Sequence, residues 1–154
     1  MVSEAALTLE IVDASDLPAS LHLLAAQVAN AITAANDLRG TVALRVCGDA
    51  EMQQLNQQFR GVDEPTDVLA FPAEPNAIDD GVAGDIAISY ERVAHQGREF
   101  GHGSEREFAY LLTHALLHLA GHSHEETEGY ARMRVGEEQI LASIGLSRET
   151  TPAA

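Results

Sequence analysis

Residues Leu7 to Val12 alternate apolar and polar side chains, and Thr41 to Cys47 do the same with β-branched residues, so both stretches predict strands with one buried face. Between them, Leu17 to Ala35 is rich in Ala and Leu at helical spacing, with Asp16 or Ser20 available as its N-cap and Gly40 closing the unit. Asp49 is placed to cap a short helix running to about Phe59, and Arg60 to Thr66, with Gly61 and Pro65, predicts a loop. Asp67 to Phe71 predicts a third strand stopped by Pro72, Ala73 to Gly84 a turn region, and Asp85 to Ser89 a fourth, mostly apolar strand. Three helices complete the pattern. One runs from Tyr90 to Phe100. The next starts at Ser104, in a capping box with Glu107, and continues to about Ala120, where Gly121 ends it. The last runs from Glu125 to about Ile144 and carries Tyr130, Met133, Glu137, Ile140 and Leu141 on one side.

Strands and helices are interleaved, with no linker, internal repeat or low-complexity segment between them. The pattern predicts an α/β (α+β) fold, a single domain over residues 1–146 with a small mixed sheet, followed by a frayed tail over 147–154. The chain's 154 residues and 45% hydrophobic content suit one packed core. Nothing approaches the roughly 20 apolar residues that span a bilayer, and Met1 to Glu10 lacks the pattern of a signal peptide. With the lone Cys47 unable to pair within the chain, these features predict a cytoplasmic protein with no membrane partner.

Charge changes the picture more. The net charge is -15, and all nine basic residues are Arg. That balance argues against nucleic acid held on a broad basic surface. It leaves phosphate binding to a few local arginines.

The candidate chemistry is concentrated in His114-Ala-Leu-Leu-His118-Leu-Ala-Gly121-His-Ser-His124. His114 and His118, four apart on a helix, project from one face and can share one tetrahedral ion. Gly121 lets the chain leave the helix with positive φ, and His124 then swings round as third ligand. Three protein ligands leave the fourth position open, the mark of a catalytic site, and the ion expected is zinc. His122 is left as a supporting or surface residue that could compete with His124; His22, His95 and His102 have no partner in sequence and are read as ordinary. The same spacing occurs in metzincin proteases, but Ala115 stands where those have their general-base Glu.

At these residues the chain resembles the YbeY family of bacterial rRNA-maturation endoribonucleases, whose signature is similar to H-G-x-L-H-L-x-G-Y-D-H. Two further blocks carry the likeness: Leu55-Asn56, Arg60 and Pro65-Thr66-Asp67-Val68-Leu69-Ala70-Phe71-Pro72, then Gly84-Asp85-Ile86-Ala87-Ile88-Ser89. Met133, Glu137, Ile140 and Leu141 also fit, so the resemblance spans about Leu55 to Leu141. The chain departs from it at Ala115, where Gly is usual, and at His122 and Ser123, where Tyr and Asp are usual. Without that Asp, a carboxylate beside the metal would have to come from Glu125 or Glu126.

The resemblance implies a zincin-like fold with a mixed four-stranded sheet and one zinc at the end of a cleft. It implies a zinc-dependent, single-strand-specific endoribonuclease acting in 16S rRNA 3′-end maturation and ribosome quality control. Single-stranded rRNA and the small ribosomal subunit or its proteins would be the partners, with no role for DNA. The zinc would polarise a phosphoryl oxygen and acidify water. His114 would serve catalysis through the metal, and Arg60, matching the family's arginine, would clamp the phosphate with its forked donors. Asp67 and Asp85 are read as structural. The rivals are a metallopeptidase, which needs a carboxylate that Ala115 does not supply, and a non-enzymatic ribosome-associated factor. The latter needs a structural zinc with a fourth protein ligand such as Cys47 or His122.

Overall fold

A computed structural model describes residues 7–12, 17–35, 38–76, 81–99, 101, 103–121 and 127–146. Asp16, Phe100, His102, His122, Ser123, His124, Glu125, Glu126 and the tail over 147–154 lie outside them, as does the side chain of Tyr130. The elements follow in the order β1 (Leu7–Val12), α1 (Ala19–Ala34), β2 (Gly40–Cys47), α2 (Asp49–Arg60), β3 (Val68–Pro72), β4 (Val82–Ser89), α3 (Tyr90–Glu99), α4 (Gly103–Leu119) and α5 (Thr127–Ser143). The strands form one mixed sheet in the order β1-β2-β4-β3, with β1, β2 and β4 parallel and β3 antiparallel to β4 at the edge. The expected mixed four-stranded sheet with helices is therefore the observed architecture.

Several local expectations differ from what forms. The α1 N-cap is Pro18, whose fixed φ suits a helix start, and no side chain caps it; Ser20 lies inside the first turn. Gly40 opens β2 rather than closing α1. Asp49 is the first residue of α2, not its cap: its N–H donates to Glu91 Oε1 at 2.7 Å, and its own carboxylate accepts from Ser89 Oγ at 2.7 Å. Arg60 sits in the last turn of α2 instead of a loop, where its charge meets the negative end of the helix dipole. Helix α4 starts at Gly103, one residue before Ser104. Strand β4 starts at Val82, three residues before Asp85.

The sheet buries both faces unequally. Val42, Leu44, Val46, Ile86 and Ile88 pack against α1 and α4 in the main core. On the other face Met52 and Leu55 of α2 cover Cys47, Leu69, Phe71 and Ala87 in a smaller cluster. Helix α4 is buried almost all round, from Arg106 to Leu117, because α1, α3, α5 and the sheet surround it. His114 and His118 lie on the part of this central helix that reaches solvent.

Gly84 sets how closely the end of α4 approaches the sheet. Its φ is +156°, and a Cβ there would stand 2.6 Å from the Phe71 carbonyl oxygen and 2.9 Å from Leu119 Cδ2. With no side chain in the way, β4 lets Leu119, and with it the turn carrying His118, rest on the β3–β4 pair.

Candidate metal centre

His114 and His118 project from α4 with their rings 5.8 Å apart and nearly perpendicular, at 73°. Two imidazoles sharing one tetrahedral ion at about 2.1 Å have ring centres about 5 to 5.5 Å apart. The two rings are therefore near enough for one ion to lie between them. Gly121 follows with φ +100°, and its N–H donates to the His118 carbonyl at 3.1 Å, so the helix ends and the chain turns where the histidine spacing requires it. His124, the expected third ligand, lies outside the described residues, and among the described residues no cluster of three His, Cys, Asp or Glu side chains assembles.

The residue that sequence reasoning left without a role is Glu137. It lies on α5 in the apolar stripe of Met133, Ile140 and Leu141 and is only 2% exposed. Its Oε2 is 2.6 Å from His114 Nδ1. A carboxylate accepts only, so Nδ1 is the donor in this contact, and the ring is held with Nε2 as the nitrogen available to a ligand set. A buried carboxylate is costly without such a partner. A Glu interrupting a core-facing stripe was the visible signal; its partner 23 residues earlier was not. The donor set, an oriented imidazole beside a second one a turn away, fits a zinc ion.

The other candidates are distributed as follows. Ala115 is 1% exposed and faces the core, so the position that carries the general-base Glu in metzincins supplies no carboxylate here. Cys47 belongs to the small cluster under α2, on the sheet face opposite α4, and its thiol points at the Ile88 carbonyl at 3.9 Å. It is not placed to be a fourth ligand. Asp67 anchors the start of β3: its Oδ1 accepts from the Val68 N–H at 2.7 Å and its Oδ2 from Gln96 Nε2 at 3.3 Å. Gln96 also donates to the buried Glu107 at 2.6 Å, tying β3 to α4 through α3. Asp85 is exposed on β4 beside Phe71. His95 pairs with Glu99 at 3.2 Å, and His22 is exposed on α1.

Arg60 is not adjacent to the histidines. It ends α2 on the far face of the sheet, with the edge strand β3 between it and α4. Arg45, Arg92 and Arg106 are committed to Glu51, Asp49 and Glu138. Arg60 is exposed, and no carboxylate partner for it occurs among the described residues. The loop after it is held by Asn56, whose Nδ2 donates to the Glu64 carbonyl at 2.9 Å and whose backbone carbonyl accepts from Val62.

Comparison with known proteins places these residues in context. The model of the family described as endoribonuclease YbeY matches residues 8–145. A relative named endoribonuclease YbeY from Roseiflexus sp. (strain RS-1) is 48% identical over 119 residues, 70% of this chain and 72% of its own length. One of the same name from Chloroflexus aggregans is 41% identical over 150 residues, covering 92% of this chain and 98% of its own. A solution structure from Thermotoga maritima superposes with a TM-score of 0.55 at 29% identity, covering 89% of this chain and 91% of that one.

Proposed function

The chain belongs to the YbeY family of endoribonucleases, and on that premise we propose that it is a zinc-dependent, single-strand-specific endoribonuclease. Its substrate is the 3′ end of maturing 16S rRNA, and it works with the small ribosomal subunit in the cytoplasm, in maturation and in ribosome quality control. The observation that carries the metal reading is the His114 Nδ1–Glu137 contact of 2.6 Å, which leaves Nε2 to ligate one turn from His118. No helix among the described residues is long and apolar enough to cross a membrane.

His114, His118 and His124 would hold the ion. When bound, it supplies a Lewis acid that polarises a phosphoryl oxygen and acidifies water toward neutrality. Glu137 holds the His114 ring in one tautomer and one orientation. Arg60, exposed at the end of α2, would grip a phosphate with its guanidinium fork, a geometry that lysine does not offer. An RNA strand crossing the β3 edge would present one phosphate to the histidines and another, further along the strand, to Arg60. The metallopeptidase reading gains nothing from Ala115, which faces the core.

Zinc content and cleavage of single-stranded rRNA, measured on wild type, His114→Ala and Arg60→Ala, test this function. The expected outcome is about one zinc per wild-type chain, loss of metal and cleavage in His114→Ala, and weakened cleavage with zinc retained in Arg60→Ala. Stoichiometric zinc with RNA cleavage that depends on neither residue would leave the metal site standing and remove the nuclease.

A further inference from the structure

Helix α2 carries its apolar stripe one step beyond the sheet it covers. Met52 is fully buried and Leu55 half-buried, but Phe59 is 59% exposed. It is the one aromatic among the large hydrophobic side chains exposed in the described residues. Its ring packs on Phe71 of β3 at 5.0 Å and 55°, so one side is backed by an aromatic neighbour and the remainder is open to water. Arg60 follows it directly in the last turn of the same helix.

Among the described residues, the strand under this pair is the last of the sheet, with no strand paired to its outer edge. Ser89 N–H donates to the Asp67 carbonyl and Ala73 N–H to the Ala83 carbonyl, so Asp67, Leu69, Phe71 and Ala73 turn their backbone groups toward β4. Val68, Ala70 and Pro72 turn theirs outward. The Val68 N–H is occupied by Asp67 Oδ1 and Pro72 has none. Ala70 therefore turns its N–H to that edge. A strand of nucleic acid can cross there between the aromatic pair on one face and the histidine helix on the other.

We propose that Phe59, backed by Phe71, is a stacking platform for an unpaired base of the RNA substrate, with Arg60 gripping the adjoining phosphate. The proposal rests on the endoribonuclease reading and deepens it. Stacking requires no positive charge and tolerates any base, because every base has a π-face. It therefore supplies the affinity that a chain of net charge -15 with no Lys cannot draw from phosphates alone. It also gives a physical reason for single-strand preference, since a base paired in a duplex cannot leave its own stack.

The chain has no Trp, so Phe59→Trp introduces a lone indole at the platform. Its fluorescence should be quenched by a single-stranded oligoribonucleotide, and not by the same strand annealed to its complement or by an abasic ribose-phosphate oligomer. Phe59→Leu keeps apolar bulk without a ring and should raise KM for single-stranded RNA roughly 5- to 100-fold, whereas Phe59→Trp should hold it near wild type. Thermal unfolding of both variants should match wild type, given the exposure of the site. An unchanged KM in Phe59→Leu, or equal quenching by the abasic oligomer, overturns the platform while cleavage by wild type persists. Absence of RNA cleavage by wild type overturns the nuclease reading itself, and the platform with it.

Discussion

Replacing Glu137 by leucine separates a residue that serves the metal from one that serves the fold. The carboxylate is 2% exposed, sits among Met133, Ile140 and Leu141, and contacts His114 Nδ1 at 2.6 Å. In the metal-free protein, leucine removes a buried carboxylate and extends an apolar stripe. Removing a buried carboxylate relieves its desolvation, but it also takes the acceptor from His114 Nδ1. That ring is 25% exposed and can turn to water, so the two effects offset and the metal-free Tm should stay near wild type. In the zinc-loaded protein a net loss appears. Loss of the partner that orients a ligating His typically costs 10- to 100-fold in metal affinity, about 1.4–2.7 kcal/mol. At a fixed excess of free zinc that loss carries over to stability by mass action. For a chain of this size it lowers the loaded Tm by about 3–10 °C. Glu137→Gln, which keeps an acceptor oxygen but not the charge, should fall between wild type and leucine. Chelator competition gives the affinity, calorimetry with and without zinc gives the two Tm values, and long-range ¹⁵N–¹H spectra give the His114 tautomer. An unchanged zinc affinity together with a lower metal-free Tm would make Glu137 a structural residue and refute the reasoning.

Other expectations concern the scaffold. Gly84→Ala places a methyl group 2.6 Å from the Phe71 carbonyl and 2.9 Å from Leu119. It should cost about 1–3 kcal/mol by overpacking and weaken zinc binding by displacing the His118 turn, read by thermal melts and chelator competition. Asn56→Ala frees the Glu64 carbonyl from a buried donor and should cost about 1–2 kcal/mol, with faster proteolytic nicking between residues 61 and 66. Ala115→Glu, which restores the metzincin pattern, forces a carboxylate into a position 1% exposed. It should cost roughly 3 kcal/mol or more and produce no peptidase activity on a casein substrate.

The parts of this molecule that sequence made legible are those set by local rules. Helix α4 announces itself through apolar residues at helical spacing and ends at Gly121, whose positive φ the pattern required. Strands β1, β2 and β3 follow alternation or a short apolar run bounded by turn residues. What escaped depends on distant partners. Glu91 caps α2 from 42 residues away, so Asp49 looked like the cap. Gly84 looked like turn chemistry, yet it lies inside β4, where only glycine allows Leu119 to approach. The spacing of His114, His118 and His124 suggests a metal pattern, but the carboxylate that contacts His114 comes from a different helix, which no local pattern shows. Arg60 is a candidate phosphate ligand through the resemblance alone, and its place across the edge strand from the histidines depends on which sheet face α2 covers, which no local pattern encodes.

The central claim is that RNA is cut at a metal held by His114 and His118. The most direct measurement follows cleavage of a single-stranded RNA carrying the 16S 3′ end by the purified protein, before and after chelation and after zinc is returned. The expected result is cleavage abolished by the chelator and restored by zinc in wild type, with no cleavage under any condition in His114→Ala. Cleavage that survives chelation and proceeds equally in His114→Ala would contradict it.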